Sequence, residues 1–406
     1  MSKCLLSGAD CETFINFGKM PIANGFLKPE QFANEFFGEL KVGFCQDSSA
    51  VQLTELVSRE KMFHENYAFF SSTSVRMAQH FKDFAAFVQR EYLRSPDPFV
   101  VEIGSNDGIL LQHFARQGIR HLGIEPSANV AQVAIQKGVQ TLCRFFDEQL
   151  AREILAGHGP ADAFLGANVM CHIPYLHSVL TGVKLLLKPT GVMIFEDPYL
   201  GDIVEKTSFD QMYDEHAFYF SVSSVSYAVK KHRMEVIDVQ PQNVHGGSMR
   251  YVIAHEGAHA VSESVHTQRR KELSLGLRTP QTYDRLRQNI ENTRNELMSL
   301  LCDIKKAGKR VVGYGATSKS TTVINYCGIT PDVVECIYDT TPIKQGKYSP
   351  GAHIPIRPYE EFTVCYPDYA LLFAWNHGEE IMLKEEKFRS AGGKFIVYVP
   401  SVKVIP

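Results

Sequence analysis

Two stretches of this chain combine residue types that do chemistry. The first, Phe99-Val-Val-Glu102-Ile-Gly104-Ser105-Asn106-Asp107-Gly108-Ile-Leu-Leu, runs an apolar strand straight into a glycine turn that opens a helix. Gly104 lets the backbone pass close to a ligand, and Gly108 lets the start of the helix pack closely. Roughly 20 residues farther on, Glu125 ends the next strand, a place from which a carboxylate grips ribose hydroxyls. Spacing separates two ligands. A dinucleotide site uses G-x-G-x-x-G with a pyrophosphate on the helix N-terminus, whereas here residue 106 is Asn and Asp107 would repel phosphate. Glu102-x-Gly104-x-x-x-Gly108, with Ser105 and Asn106 in the turn, suits a ligand with a ribose and an amino-acid tail, S-adenosylmethionine. The bland alternative is a glycine turn of any α/β fold.

The second stretch, Ser208-Phe209-Asp210-Gln211-Met212-Tyr213-Asp214-Glu215-His216-Ala217-Phe218-Tyr219-Phe220, crowds titratable and aromatic groups together. A carboxylate beside an imidazole can orient or polarise it, and apolar rings limit water, as a general base needs. Burying two carboxylates without purpose is costly, so Tyr213-Asp214-Glu215-His216 is hard to explain as core. A solvated helix turn is its other reading. Upstream, Gly166-Ala-Asn168-Val-Met-Cys-His172-Ile-Pro174 ends a fourth strand, so Asn168 and His172 face the crevice at the carboxyl ends of the strands. Taken singly, His172 reads as a loop histidine.

The elements that position these groups follow from periodicity. Residues 1–60 are turn-rich and β-like, a lobe too short for a large core of its own. A helix is expected over Ser74–Leu93. Residues 61–258 then alternate strands (Phe99–Ile103, His121–Ile124, Val139–Cys143, Ala163–Ala167, Gly191–Phe195) with helices at Gly108–Arg116, Ala128–Lys137, Asp147–Leu155 and Leu176–Leu187. This alternation implies a parallel sheet covered on both faces. Strands Glu235–Val239 and Met249–Ala254, joined by a glycine-rich turn, add an antiparallel pair at one edge, which marks a methyltransferase-type Rossmann-like sheet. Residues 259–406 hold an amphipathic helical region up to Lys306 and a second Rossmann-like α/β unit opening at Arg310.

Composition excludes several classes. With 406 residues the chain has room for two to three domains, and 44% hydrophobic against 21% charged residues is globular usage. A formal net charge of −3 argues against non-specific nucleic-acid binding, which needs a basic surplus. No apolar run reaches the ~18 residues of a membrane span, and no secretory leader is evident. Nine scattered cysteines then read as reduced thiols in the cytoplasm.

Taken in order, Asn16-Phe-Gly18-Lys-Met-Pro21-Ile-Ala-Asn24, Tyr67-Ala-Phe-Phe-Ser71, Val101-Glu102-Ile-Gly104, Gly123-Ile-Glu125-Pro126, Tyr213-Asp214-Glu215-His216, His245-Gly-Gly-Ser248 and Gly313-Tyr-Gly315-Ala-Thr-Ser-Lys319 resemble the nucleotide-sugar C-methyltransferase family. That family acts on nucleotide-linked deoxy-4-keto sugars, and the resemblance spans nearly the whole chain. It implies an N-terminal zinc-bearing lobe, a central S-adenosylmethionine domain and a C-terminal domain that helps hold a dTDP- or GDP-linked sugar. It implies methylation at C3, with His216 as base and Tyr67, Tyr213 and Glu215 as its partners at the substrate site. One departure concerns zinc: two family ligand positions are Ser7 and Ser48, beside Cys4 and Cys45, and serine is a poor zinc ligand. No metal is therefore expected.

The turn Gly313–Ser320 nearly matches a phosphate-binding loop but has Ser318 before Lys319, so a diphosphate hold is expected there rather than ATP hydrolysis. His172, His245, Lys319 and the loop cation Lys347 complete the expected substrate site. Sugar O-methylation, methylation of an unrelated small molecule and a non-catalytic nucleotide-sugar binder remain as rivals.

Overall fold

The computed structural model describes residues 2–58, 62 and 75–406. In the N-terminal lobe, β1 (Ser2–Lys3), β2 (Asp10–Pro21), β3 (Phe37–Cys45) and β4 (Ala50–Leu53) form an antiparallel meander. Its register shifts between Asn16 and Lys19, where Gly18 takes φ +84°, the positive φ of a bulge.

The central sheet contains β5 (Phe99–Ile103), β6 (Arg120–Ile124), β7 (Thr141–Leu142), β8 (Ala161–Ala167) and β9 (Leu187–Pro198), all parallel. A short β10 (Phe218–Tyr219) leaves this sheet and pairs with β4, stitching the lobe to the central domain. β11 (Met234–Gln242) and β12 (Ser248–His255) close the sheet in the order β11-β12-β9-β8-β5-β6-β7. β12 runs antiparallel to both neighbours, the edge pattern expected from the sequence. Strand order reverses between β5 and β8, so the ligand crevice lies at their carboxyl ends.

The third domain is a six-stranded sheet: β13 (Val311–Tyr314), β14 (Ile337–Asp339), β15 (Ile356–Pro358), β16 (Tyr369–Leu372), β17 (Lys394–Val397) and β18 (Lys403–Ile405). Its order is β15-β14-β13-β16-β17-β18, parallel except at β18. Among the described residues, the lobe's buried side chains join the cores of its neighbours. Phe17, Met20, Phe44 and Leu53 pack into one cluster with Tyr283 and Leu286 of helix Pro280–Lys306 and with Ile324 of helix Ser318–Cys327. Phe44 and Tyr283 ring centres are 4.4 Å apart. Phe209 and Met212 of the central domain join the same cluster, so shared burial brings residues of all three parts to one place.

Several expected elements differ. Regular helix after the glycine turn is confined to Gln112–Ala115 and closes where Gly118, at φ +69°, lets Ile119 N return to the Phe114 carbonyl. β7 shrinks because Val139 donates its amide to Ala134, closing the previous helix. In the third domain, Val333 and Val334 donate their amides back to the Thr330 carbonyl, and β14 begins only at Ile337. Helix Glu263–Leu275 belongs with the central domain rather than with the third: Val265 lies in the central core, and Tyr199 donates to Glu272 at 3.1 Å. No helix among the described residues is long and apolar enough to cross a membrane.

Candidate active site

A cavity of about 320 Å³ opens where the crevice of the central sheet meets the N-terminus of helix Ser318–Cys327. Gly104, Asn106, Glu125 and Asn168 line it from the central sheet. At Gly104, φ is +61° and a Cβ would stand 2.6 Å from Val169 Cγ2, so only glycine fits. Asn106 N donates to Glu125 Oε2 at 3.0 Å and Ser127 N to Oε1 at 2.8 Å, which fixes the carboxylate against the turn. Burial raises the Glu125 pKa, opposed by these two amides. Asn168 also takes a left-handed φ of 53°, its amide held by the Glu196 carbonyl at 2.7 Å. A glycine cradle beside a fixed carboxylate suits the amino-acid tail and ribose of S-adenosylmethionine.

Three residues expected at the cofactor do not line this cavity. Glu102 is 2% exposed on β5, its carboxyl held well above the usual range by burial and by Glu125 and Asp107. Ser105 packs under Gly123, where a Cβ would meet its Oγ at 2.5 Å. Gly108 makes room for packing: a Cβ there would lie 2.9 Å from Val139. They support the turn from behind.

Tyr213, Glu215 and His216 line the same cavity and are buried, which rules out the solvated turn. His216 Nδ1 lies 2.9 Å from the Gln211 carbonyl. A carbonyl only accepts, so this partner assigns the proton to Nδ1 and leaves Nε2 with a lone pair. Burial, followed by the charge of a protonated His172, holds His216 well below the ordinary imidazole pKa. It is the backbone of Gln211, rather than the neighbouring Glu215, that orients this ring. Glu215 Oε2 lies 4.0 Å from His172 Nδ1. His172, pushed down to about 4 by burial, lies 5.1 Å from His216 between ring centres, and Tyr213 4.1 Å from it. Tyr67 falls outside the described residues.

Asn24 is a residue that sequence reasoning gave no role. Its Nδ2 donates to Glu215 Oε1 at 2.7 Å, and its Oδ1 accepts from Ser318 Oγ at 2.8 Å, joining lobe, central domain and third domain in one chain of hydrogen bonds. His245 and Lys319 line the cavity, with Lys319 Nζ donating to the His245 carbonyl at 2.8 Å. Burial pushes Lys319 down to about 8 and His245 down to about 3. Lys347 does not line the cavity; Lys344, three residues earlier in the same loop, does, with Nζ on the Ala316 carbonyl at 2.8 Å.

The zinc-type lobe brings its four expected ligand positions together without a four-ligand set. Cys4 Sγ lies 3.1 Å from Ser48 Oγ, and Ser7 Oγ 3.5 Å from Cys45 Sγ. Cys11, the remaining thiol, is pushed up to about 12, chiefly by burial. Two thiols closed by hydrogen bonds to two hydroxyls do not make a tetrahedral structural site. Elemental analysis of the purified protein is expected to find less than one zinc per chain, and chelator is expected to leave the melting temperature unchanged. One tightly held zinc per chain would overturn this and point to Cys4, Cys11 and Cys45. In the cavity itself, the ligand atoms of Cys171, His172 and His216 lie within 4.8 Å of one another. A cation bound there would occupy the lone pair that a base must keep free.

Comparison with known proteins gives three regional matches. Residues 4–63 match a putative zinc binding domain, residues 76–238 a methyltransferase domain, and residues 243–400 a C-methyltransferase C-terminal domain. C-methyltransferase NovU of Streptomyces niveus is 35% identical over 394 residues, covering 96% of this chain and 93% of that protein. Among solved structures, magnesium protoporphyrin IX methyltransferase (ChlM) of Synechocystis PCC 6803 with bound SAH matches 44% of this chain and 83% of its own at 14% identity and TM-score 0.35. An S-adenosylmethionine-dependent methyltransferase of Clostridium acetobutylicum matches 44% and 92% at 13% identity and TM-score 0.36.

Proposed function

The chain belongs to the C-methyltransferase family and is an S-adenosylmethionine-dependent enzyme, and from that premise we propose that it methylates C3 of a nucleotide-linked deoxy-4-keto sugar, with His216 as the base. One observation carries this reading: His216 Nε2 keeps a lone pair in the cavity that Gly104 and Glu125 line, because Nδ1 is committed to Gln211. A ketone at C4 acidifies the C–H bonds beside it. His216 Nε2 takes the C3 proton, and the C–H electron pair becomes an enolate with its charge on O4. Bound at the glycine turn, S-adenosylmethionine supplies a sulfonium methyl, and the enolate carbon takes it as the sulfur–methyl bond breaks. The His216 imidazolium then gives its proton to solvent.

Holding the three reactants in one water-poor cavity supplies orientation, and donors near O4 stabilise the developing charge. Tyr213 and Tyr67 are the hydroxyls assigned to that oxygen. Glu215 is held by Asn24, so it positions the sugar. Lys319 and Lys344, cationic groups on the third domain's side of the cavity, suit the diphosphate, and His245 and His172 complete the substrate contacts.

Incubation with S-adenosylmethionine and dTDP-4-keto-6-deoxyglucose, followed by NMR of the product, tests the reading. A methyl on C3 is the expected result. A methyl on C5 would keep the enolate chemistry and move the position, whereas a methyl ether would overturn carbon methylation of this sugar. Calorimetric titration with dTDP is expected to show saturable binding, and none would remove the nucleotide from the substrate.

A further inference from the structure

We infer that the third domain sets the position and tautomer of His216 through a clamp on the turn Phe209–Gln211, with Asp210 and Thr322 as its positioning residues. The inference rests on His216 being the base. The turn is held on both sides of Gln211. Before it, Asp210 Oδ2 accepts from Trp375 Nε1 at 2.6 Å and from Tyr398 OH at 2.9 Å. After it, the Met212 carbonyl accepts from Thr322 Oγ1 at 2.8 Å. Between these anchors, the Gln211 carbonyl meets His216 Nδ1. Trp375, Tyr398 and Thr322 all belong to the third domain, and Asp210 and Thr322 are at most 1% exposed.

The arrangement has a chemical purpose. A backbone carbonyl orients an imidazole only as well as its own peptide is held, and a three-residue 3-10 turn with no side-chain cap is weakly held by itself. Anchoring Asp210 by its side chain and Met212 by its carbonyl holds the peptide between them in space. Its bond to Nδ1–H then keeps the Nε2 lone pair toward the cavity and favours the imidazolium once the proton arrives. The preceding residue of the same helix, Thr321, donates to the Ala23 carbonyl at 2.9 Å, next to Asn24. One helix therefore sets both the base and the residue that holds Glu215.

The test uses the full-length protein with S-adenosylhomocysteine and dTDP-4-keto-6-deoxyglucose in deuterated water, reading exchange of the ring protons beside the ketone. Thr322→Val keeps the shape and removes the donor. It is expected to slow exchange roughly 3–10-fold, as loss of one hydrogen bond implies, while S-adenosylhomocysteine affinity stays the same. Thr322→Ser, which keeps the hydroxyl, is expected to restore the rate. Tyr398→Phe loosens the other anchor and is expected to slow exchange similarly, which keeps the test alive if Thr322→Val does not fold.

A merely structural defect would lower the rate at every pH alike. Loosening the clamp removes a bond that favours protonated His216, so the acid limb of the exchange profile is expected to move to lower pH. The other groups around the ring, namely His172, Lys319, His245, Tyr213, Tyr219 and Cys171, are unchanged in these variants. Nitrogen-15 NMR of labelled histidine is expected to show the Nδ1–H tautomer less populated in Thr322→Val. An unmoved acid limb together with unchanged His216 nitrogen shifts would overturn the clamp. If His216→Ala itself exchanges normally, the base reading fails and the clamp's catalytic role with it. If His216→Ala is dead and the clamp variants behave as wild type, only the clamp fails.

Discussion

Replacing His216 with alanine is expected to lower turnover by ~10²–10⁴-fold, the usual contribution of a positioned general base, while leaving S-adenosylmethionine affinity intact. The expectation follows from the tautomer, since Nδ1 serves Gln211 and Nε2 alone is left to receive a proton. Burial holds the ring well below its ordinary pKa, so it is neutral at pH 7 and ready to accept. The sign of the pH dependence is then fixed. For the proposed base the neutral imidazole is the working form, and a lowered pKa extends that form downward, so the acid limb of exchange should lie below the ~6.5 of a free imidazole. Proton exchange beside the ketone, measured with S-adenosylhomocysteine in deuterated water, isolates deprotonation from methyl transfer. Tyr67→Phe, Tyr213→Phe and Glu215→Gln are the controls, expected to slow turnover through O4 or the sugar. Normal exchange by His216→Ala alongside loss in one of these controls would move the base to that residue.

What the sequence made legible, and what it did not, divides along the range of the interaction. β5 was expected at Phe99–Ile103 and is found there, because an apolar run closed by Pro98 and Gly104 leaves no choice of ends. The antiparallel edge followed from a short glycine turn, which only neighbouring strands can use. Glu102 misled because a motif names positions without saying which face of a fully buried strand each occupies. Lys344 and Lys347 share a loop and a charge; only backbone placement separates the one that reaches the cavity. Gln211 was invisible for a simpler reason, since its contribution is a peptide carbonyl that every residue type carries. Asn24 needed the fold as well. It lies 191 positions from Glu215, and the two meet only because the lobe shares its core with the third domain.

Glu125, proposed as the ribose ligand, is also a structural residue of the turn, and its removal is expected to have the second largest effect. Its two oxygens accept the amides of Asn106 and Ser127, so each keeps one further lone-pair direction for a ribose hydroxyl. Glu125→Ala removes the charge-assisted bonds to the ribose and also leaves two amides of the turn without their partner. Each charge-assisted bond contributes about 1.5–3 kcal/mol, so even if a single ribose bond counts, S-adenosylmethionine affinity is expected to fall at least roughly 10–100-fold in a calorimetric titration. Glu125→Gln separates the two roles. Its single amide oxygen can still hold one backbone N–H, but its nitrogen only donates and cannot serve the second. Affinity intermediate between wild type and alanine is expected if both roles count. Gln equal to Ala, with unchanged thermal stability in both, would assign the whole effect to the ribose. Unchanged affinity in the alanine variant would remove Glu125 from the cofactor site and leave it the latch of a glycine turn.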